Sequence, residues 1–145
     1  GLRVGVARRR DRADGASPLQ LLGELKGWAL PTTNGLRLDT MRVQGTDTAA
    51  VGPLIWAATF AWALEATPCR QATLLAIRDR EAQHRRLVRY FHQLGFRPLR
   101  ELGAGAADLA PRLLWGGAGL LMRGDCAEGL ARSARRLAGG EPLQR

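Results

Sequence analysis

The sequence predicts a mixed α/β domain, a sheet carrying helices on its faces. Three stretches predict it. Ala72 to Ile77 (ATLLAI) is an apolar run of strand length. A polar break follows, Arg78 to Gln83, and then an amphipathic segment whose Leu87, Val88, Phe91 and Leu94 share one helical stripe up to Gly95. Val51 to Ala66 (VGPLIWAATFAWALEA) carries no charge before Glu65 and is too long for an ordinary strand, so it reads as a helix buried on most sides. Gly35 to Gln44 (GLRLDTMRVQ) alternates as a strand does, with Leu36, Leu38, Met41 and Val43 apolar and Arg37, Asp39 and Arg42 between them. Its phase slips around Thr40, which predicts a β-bulge.

The remaining elements follow in chain order. Leu2 to Ala7 is short and apolar enough for a strand. The charged run Arg8 to Gly15 ends in Asp14-Gly15, a turn signal. Ser17-Pro18 has the form of an N-cap followed by proline at the first helical position, and Leu19, Leu22 and Leu25 recur at helical spacing. A short helix is therefore expected over Pro18 to Gly27. Trp28 to Asn34 is a loop, and Asn34-Gly35 a tight-turn dipeptide. Gly45 to Gly52 (GTDTAAVG) is a small-residue loop leading into the apolar helix, with Asp47 or Thr48 as its cap. Thr67-Pro68 ends that helix. Arg97 to Leu102 is a short strand and Gly103 to Pro111 a Gly/Ala-rich loop. Leu113 to Met122 (LLWGGAGLLM) reads as an apolar strand, bulged or closely approached at Gly116-Gly117. A turn is expected over Asp125 to Gly129. A last helix, within 127–138, sets Leu130, Ala134 and Leu137 against Arg132, Arg135 and Arg136 on its other face.

At 145 residues the chain is of single-domain length, with 46% hydrophobic and 24% charged residues, which excludes collagen-like and disordered classes. The net charge of +9, nearly all of it arginine, favours an anionic partner: a nucleotide, a nucleic acid, an acidic protein or anionic lipid. Cys69 and Cys126 stand far apart in no metal-binding spacing, so a reduced pair is expected, in the cytoplasm or another reducing compartment such as a plastid stroma. Arg8 to Arg12 interrupts the N-terminus before an apolar core can form, so no secretory leader is expected. The uncharged run ending at Glu65 is near the lower length limit for a membrane span. With Pro53 and many alanines in it, a core helix is the expected reading and a membrane association is not. His84 and His92 lie about 80° out of phase on a helix with no third ligand near, so no metal site is expected and both read as solvated.

The segment HRRLVRYFHQLGF, His84 to Phe96, resembles the last third of the GNAT acyl-CoA N-acyltransferases. There a helix ends in an aromatic residue, three further residues and Gly-Phe, and a strand follows; Phe91, Leu94, Gly95 and Phe96 match. The flanks fit the same order. ATLLAI is similar to the family's fifth strand, RPLREL and LLWGGAGLLM to its last two, GLRLDTMRVQ to its bulged fourth strand, and GTDTAAVG to its pyrophosphate-binding turn. The resemblance covers Gly35 to Met122. LRVGVARRRDRADG looks like the strand before it, in which case the family's first strand and first two helices are not in this chain, which starts at Gly1 without Met. The resemblance implies one GNAT-like domain over residues 1–145, with a mostly antiparallel mixed sheet and helices on both faces. It also implies acetyl-CoA as acyl donor and an amine as acceptor.

It assigns residues as well. The family's pyrophosphate motif, Arg/Gln-x-x-Gly-x-Gly/Ala, falls on Gln44, Asp47 and Ala49; Gln44 and Ala49 fit, and Asp47 replaces a glycine with a charge of the wrong sign. Gly45, Thr46, Thr48 and Ala50 are small residues able to present amides to the anion in a shifted register. Met41, Arg42 and Val43, after Thr40, would line the slot for the acyl-pantetheine arm. The family's proton-donating tyrosine falls on Phe91, which has no proton to give. Tyr90 is about 100° away round the helix and reads either as a rim tyrosine or as a substitute acid. Asp39 and Glu65 are the candidate bases, with a surface charge the plain reading of Asp39. The arginines Arg78, Arg80, Arg85, Arg86 and Arg89 suit a cofactor phosphate or a solvated face. The leading expectation is an N-acetyltransferase. A catalytically inactive module docking an acidic protein or nucleic acid through its arginines is the alternative, favoured by Asp47 and Phe91.

Overall fold

The computed structural model describes residues 1–9, 18–44, 49–103 and 105–139. Among them are six strands, β1 (Leu2–Arg9), β2 (Leu19–Ala29), β3 (Leu36–Val43), β4 (Gln71–Ile77), β5 (Arg97–Leu102) and β6 (Gly119–Asp125). Four helices accompany them: α1 (Val51–Ala66), α2 (Glu81–Gln93), α3 (Leu109–Trp115) and α4 (Cys126–Gly139). The strands form one sheet in the order β1-β2-β3-β4-β6-β5. Four of its pairings are antiparallel, and β3 with β4 is parallel. The class is α/β, with a mixed sheet.

Helices α1, α2 and α4 share one face. Trp56 of α1 donates its indole N–H to the Tyr90 hydroxyl of α2, and a Cβ at Gly129 of α4 would stand 2.5 Å from the Phe60 ring of α1. On that face Leu25, Leu36, Leu38, Ile55, Trp56, Phe60, Leu74 and Phe96 form the core. Side chains alternate across a strand, so Arg37, between Leu36 and Leu38, faces the other way. There its guanidinium stacks 4.4 Å from the Trp115 ring centre and bonds the Leu114 carbonyl, which holds α3 on the opposite face.

Several elements stand where the sequence puts them. The apolar helix spans Val51–Ala66 and the strand after α2 spans Arg97–Leu102. Gly95, at φ +99°, closes α2. The Phe96 N–H reaches back to Phe91 O and the Gly95 N–H to His92 O, the paired bonds that a left-handed glycine makes possible. Phe96 is then turned fully into the core.

Four expectations fail. Pro18 to Gly27 is not a helix but most of β2. A bulge at Leu22, which has no partner between the pairs Val6↔Gly23 and Ala7↔Leu21, shifts the strand's phase by one. Leu22 and Leu25, three apart, therefore both point inward, and the spacing imitates a helix. Leu113 to Met122 is not one strand. The end of the expected loop, Leu109 to Pro111, and the start of this run fall in α3, which stops at Gly116 (φ +81°), and the strand begins only at Gly119. An apolar run cannot by itself separate strand from buried helix. Asp125 to Gly129 is not a turn: Asp125 Oδ2 accepts the Glu128 N–H at 2.9 Å and caps α4, which starts at Cys126. Asp-Cys-Ala-Glu carries the Asp-x-x-Glu cap pattern that would have found it. His84 is buried, with Nδ1 at 3.1 Å from the Ile77 carbonyl, and is not solvated.

Among the described residues no helix is long and apolar enough to cross a membrane. Both cysteines are free and buried. Burial, with Asp125 and Cys69 nearby, pushes the Cys126 thiol up from its ordinary 9.0 to about 12. The unfolded chain then releases this proton at a pH where the native chain still holds it. Stability is full below pH 9.0 and falls as pH rises toward 12. Cys126→Ala should flatten that alkaline decline in urea-unfolding midpoints measured between about pH 8 and about pH 10, and an unchanged slope would assign it to other groups.

Candidate active site

The site is a gap in the sheet. Strands β3 and β4 run parallel and pair over only three positions, Leu36↔Ala72, Arg37↔Thr73 and Leu38↔Leu74. Beyond them β3 keeps its pairing with β2 as far as Gly23↔Val43, while β4 keeps its own with β6 as far as Ile77↔Gly119. The two strands part where β3 is bulged. Lys26 pairs with Thr40 and Gly27 with Leu38, so Asp39 is the extra residue. A bulge bends its strand and increases its twist, which carries the C-terminal half of β3 away from β4. The expected phase slip around Thr40 is thus a bulge one residue earlier.

A cleft of about 670 Å³ fills the gap, within the usual range for a small-molecule site. Its walls are Asp39 to Arg42 from β3, Leu75 and Ile77 from β4, and Gln83, Arg86, Leu87, Tyr90 and Phe91 from α2. A second, smaller pocket shares Asp39, Thr40, Met41, Leu75 and Phe91 with it and is also lined by Leu25, Leu38, Leu74 and Trp56. The cleft is apolar along Met41, Leu75, Leu87 and Phe91. It carries two cations, Arg42 and Arg86, and one carboxylate, Asp39.

Asp39 does not stand alone at the bulge. Its Oδ1 accepts from Arg37 Nε at 2.8 Å, and Arg37 is itself held by α3. The carboxylate therefore has a fixed direction at the point where the strands separate. Glu65, the other base candidate, is exposed near the far end of α1, some 14 residues from the first turn and so about 20 Å along the helix. It is not a member of this site.

Tyr90 overturns the expectation of a rim position. It is 5% exposed. Its hydroxyl oxygen accepts from Trp56 Nε1 at 2.9 Å, and a Cβ at Gly52 would lie 3.2 Å from that oxygen. The absence of a side chain at Gly52 leaves room for the phenol against the first turn of α1, and Met41 Cε would lie 3.8 Å from the same Cβ. Phe91 also lines the cleft, packed edge-on to Trp56 with ring centres 6.3 Å apart. Two adjacent helical residues reach one cleft because it wraps around the α2 face, and about 100° separates its two walls.

Of the expected cofactor-binding residues, Met41 and Arg42 line the cleft. Val43 packs against the core. Gln44 extends the β2 pairing, its N–H on Leu22 O and its Nε2 on Leu21 O, so its side chain is engaged there. Gly45, Thr46, Asp47 and Thr48 lie outside the described residues. Ala49 and Ala50 are exposed at the start of α1. Ala50 is its N-cap and gives no side-chain hydrogen bond. The first bond within the helix joins Leu54 N–H to Ala50 O, and the amides before it lack intrahelical partners. Trp56 and Gly52 are the residues that sequence reasoning missed. Both sit in the run read only as core, and neither carries a signal of its own without Tyr90 beside it. Among the described residues no cluster of three or more His, Cys, Asp or Glu side chains could hold a metal ion. Neither a protein-family model nor a curated protein matches the chain.

Proposed function

We propose that this chain is a GNAT-like N-acyltransferase that moves an acyl group from acetyl-CoA to an amine in the cleft between β3 and β4. The observation that carries the reading is the three-residue parallel pairing that opens at the Asp39 bulge. Past Leu38, β3 has no partner on its β4 side, so an extended arm laid in the gap can take up its backbone groups as an added strand would. The Gly95 closure and the buried Phe96 support the same reading.

Acetyl-CoA brings an acyl group activated as a thioester, with a thiol as leaving group. Thr40 to Val43 would hold its arm by backbone. The open amides at the start of α1, those of Val51 and Gly52, suit its pyrophosphate. Arg42 and Arg86 supply cations at the same cleft. Asp39 accepts a proton from the amine as its nitrogen bonds the acyl carbon. Tyr90 gives its phenolic proton to the sulfur as the carbon–sulfur bond breaks. Leu87 and Phe91 keep water from the acyl group.

Calorimetric titration with acetyl-CoA tests the reading. One saturable site is expected, with a Tm that rises with ligand, equivalent to about 2.7 kcal/mol at a hundredfold excess over Kd. No heat and no Tm shift at millimolar acetyl-CoA would refute it. A second reading has its own observations: Phe91 at the position the resemblance gives to a tyrosine, and a depression on α4 lined by Gln93, Arg132, Arg135 and Arg136. In it the domain is an inactive regulatory module that docks an acidic protein or a nucleic acid. Retention on heparin that falls with salt, without acetyl-CoA binding, would select it.

A further inference from the structure

We propose that Trp56 is a positioning residue for Tyr90: its buried indole N–H fixes the phenol oxygen at the cleft and stabilises the phenolate left when Tyr90 gives up its proton. The inference rests on the acyltransferase reading and deepens it.

Three observations carry it. An indole nitrogen can only donate a hydrogen bond, so in the 2.9 Å contact the Tyr90 oxygen must be the acceptor. The phenol's own hydrogen is then directed away from Trp56. The indole is immobile: Trp56 is 1% exposed, stacked on Phe60 with ring centres 5.8 Å apart and edge-on to Phe96 at 6.2 Å. A donor that is already in place costs no reorganisation as charge develops on the oxygen. Finally, Gly52 seats the hydroxyl beside the first turn of α1, whose positive dipole end favours an anion there.

The proton step balances. The carbon–sulfur bond breaks with its electron pair on sulfur, the Tyr90 proton goes to that sulfur, and the phenolate keeps the Trp56 hydrogen bond until it is reprotonated from solvent. The charged groups lining the same cleft are Asp39 and Arg42 on β3 and Arg86 on α2. From Val51 to Leu64 helix α1 has none, so the indole is the polar side chain that α1 presents to the phenol.

Tyr90 is the chain's only tyrosine, so tyrosine labelled with carbon-13 at Cζ gives a single NMR resonance whose titration reports this phenol without any turnover. In Trp56→Phe, with the fold verified by circular dichroism, the midpoint should rise by about one pH unit, the size of a hydrogen bond to a charged oxygen. The same variant should lose about tenfold in kcat with acetyl-CoA affinity unchanged, and should cost nothing further in a Tyr90→Phe background, because the indole would then have no phenol to act on. Equal midpoints, or a kcat loss that adds in full to that of Tyr90→Phe, overturn the proposal and leave the acyltransferase reading standing. A wild-type protein that neither binds acetyl-CoA nor turns over overturns the reading itself, and the proposal with it. If Trp56→Phe does not fold, Trp56→Leu is titrated in its place: a raised midpoint supports the proposal, and a midpoint equal to the wild type's overturns it.

Discussion

Phe96→Ala should destabilise the native state by about 3–5 kcal/mol, the range for truncating a buried aromatic. The ring is fully buried. It meets Trp56, Phe60 and Phe91 with centres 6.2, 6.3 and 6.2 Å away. Its other side rests on Gly124 of β6, where an added Cβ would come within 3.1 Å of the ring. One side chain thus joins α1, α2 and the sheet. The cavity cannot close easily, because the wall at Gly124 is backbone and the other walls are rings fixed by their own packing. For a domain with a total stability of about 5–15 kcal/mol, the loss is about a fifth or more. Urea unfolding should show a lower midpoint at an unchanged m-value. A loss below about 1 kcal/mol would mean that the aromatic cluster repacks freely.

Tyr90→Phe should lower kcat by about a hundredfold or more, the contribution of a positioned acid, and leave the acetyl-CoA dissociation constant near that of the wild type. The substitution keeps the ring in its pocket and removes only the oxygen. It also leaves the Trp56 N–H without its partner, at a cost to stability of about 1–3 kcal/mol, so rates should be compared under conditions where circular dichroism shows both proteins folded. A variant that binds acetyl-CoA and turns over at the wild-type rate would remove Tyr90 from the chemistry and leave the leaving sulfur to be protonated by water.

Much of the site's frame was legible in the chain. Leu94-Gly95-Phe96 named a helix end because a left-handed residue is cheap only for glycine. The slip in GLRLDTMRVQ named the bulge, because a strand's period of two leaves no other way to absorb an odd residue. The burial of Tyr90 was not legible. A helical wheel places it away from Phe91, and only the tertiary structure shows that both line one cleft. β2 was misread for a related reason. Its Leu22 bulge exists because β1 pairs across it, and that pairing is a property of two distant segments.

The sequence by itself determined the local elements whose signals lie within a few residues: the uncharged helix Val51–Ala66, the stripe and glycine stop of α2, the alternation of β3, and the basic character of the whole. The tertiary structure decided which of these meet. It brought the parallel pair β3 and β4 together for three residues and let them part. It set Asp39 on the bulge with Arg37, and it placed the Trp56 indole against the Tyr90 oxygen across 34 residues of chain. Periodicity reports which face of an element is apolar. Which other element covers that face depends on packing between segments distant in sequence.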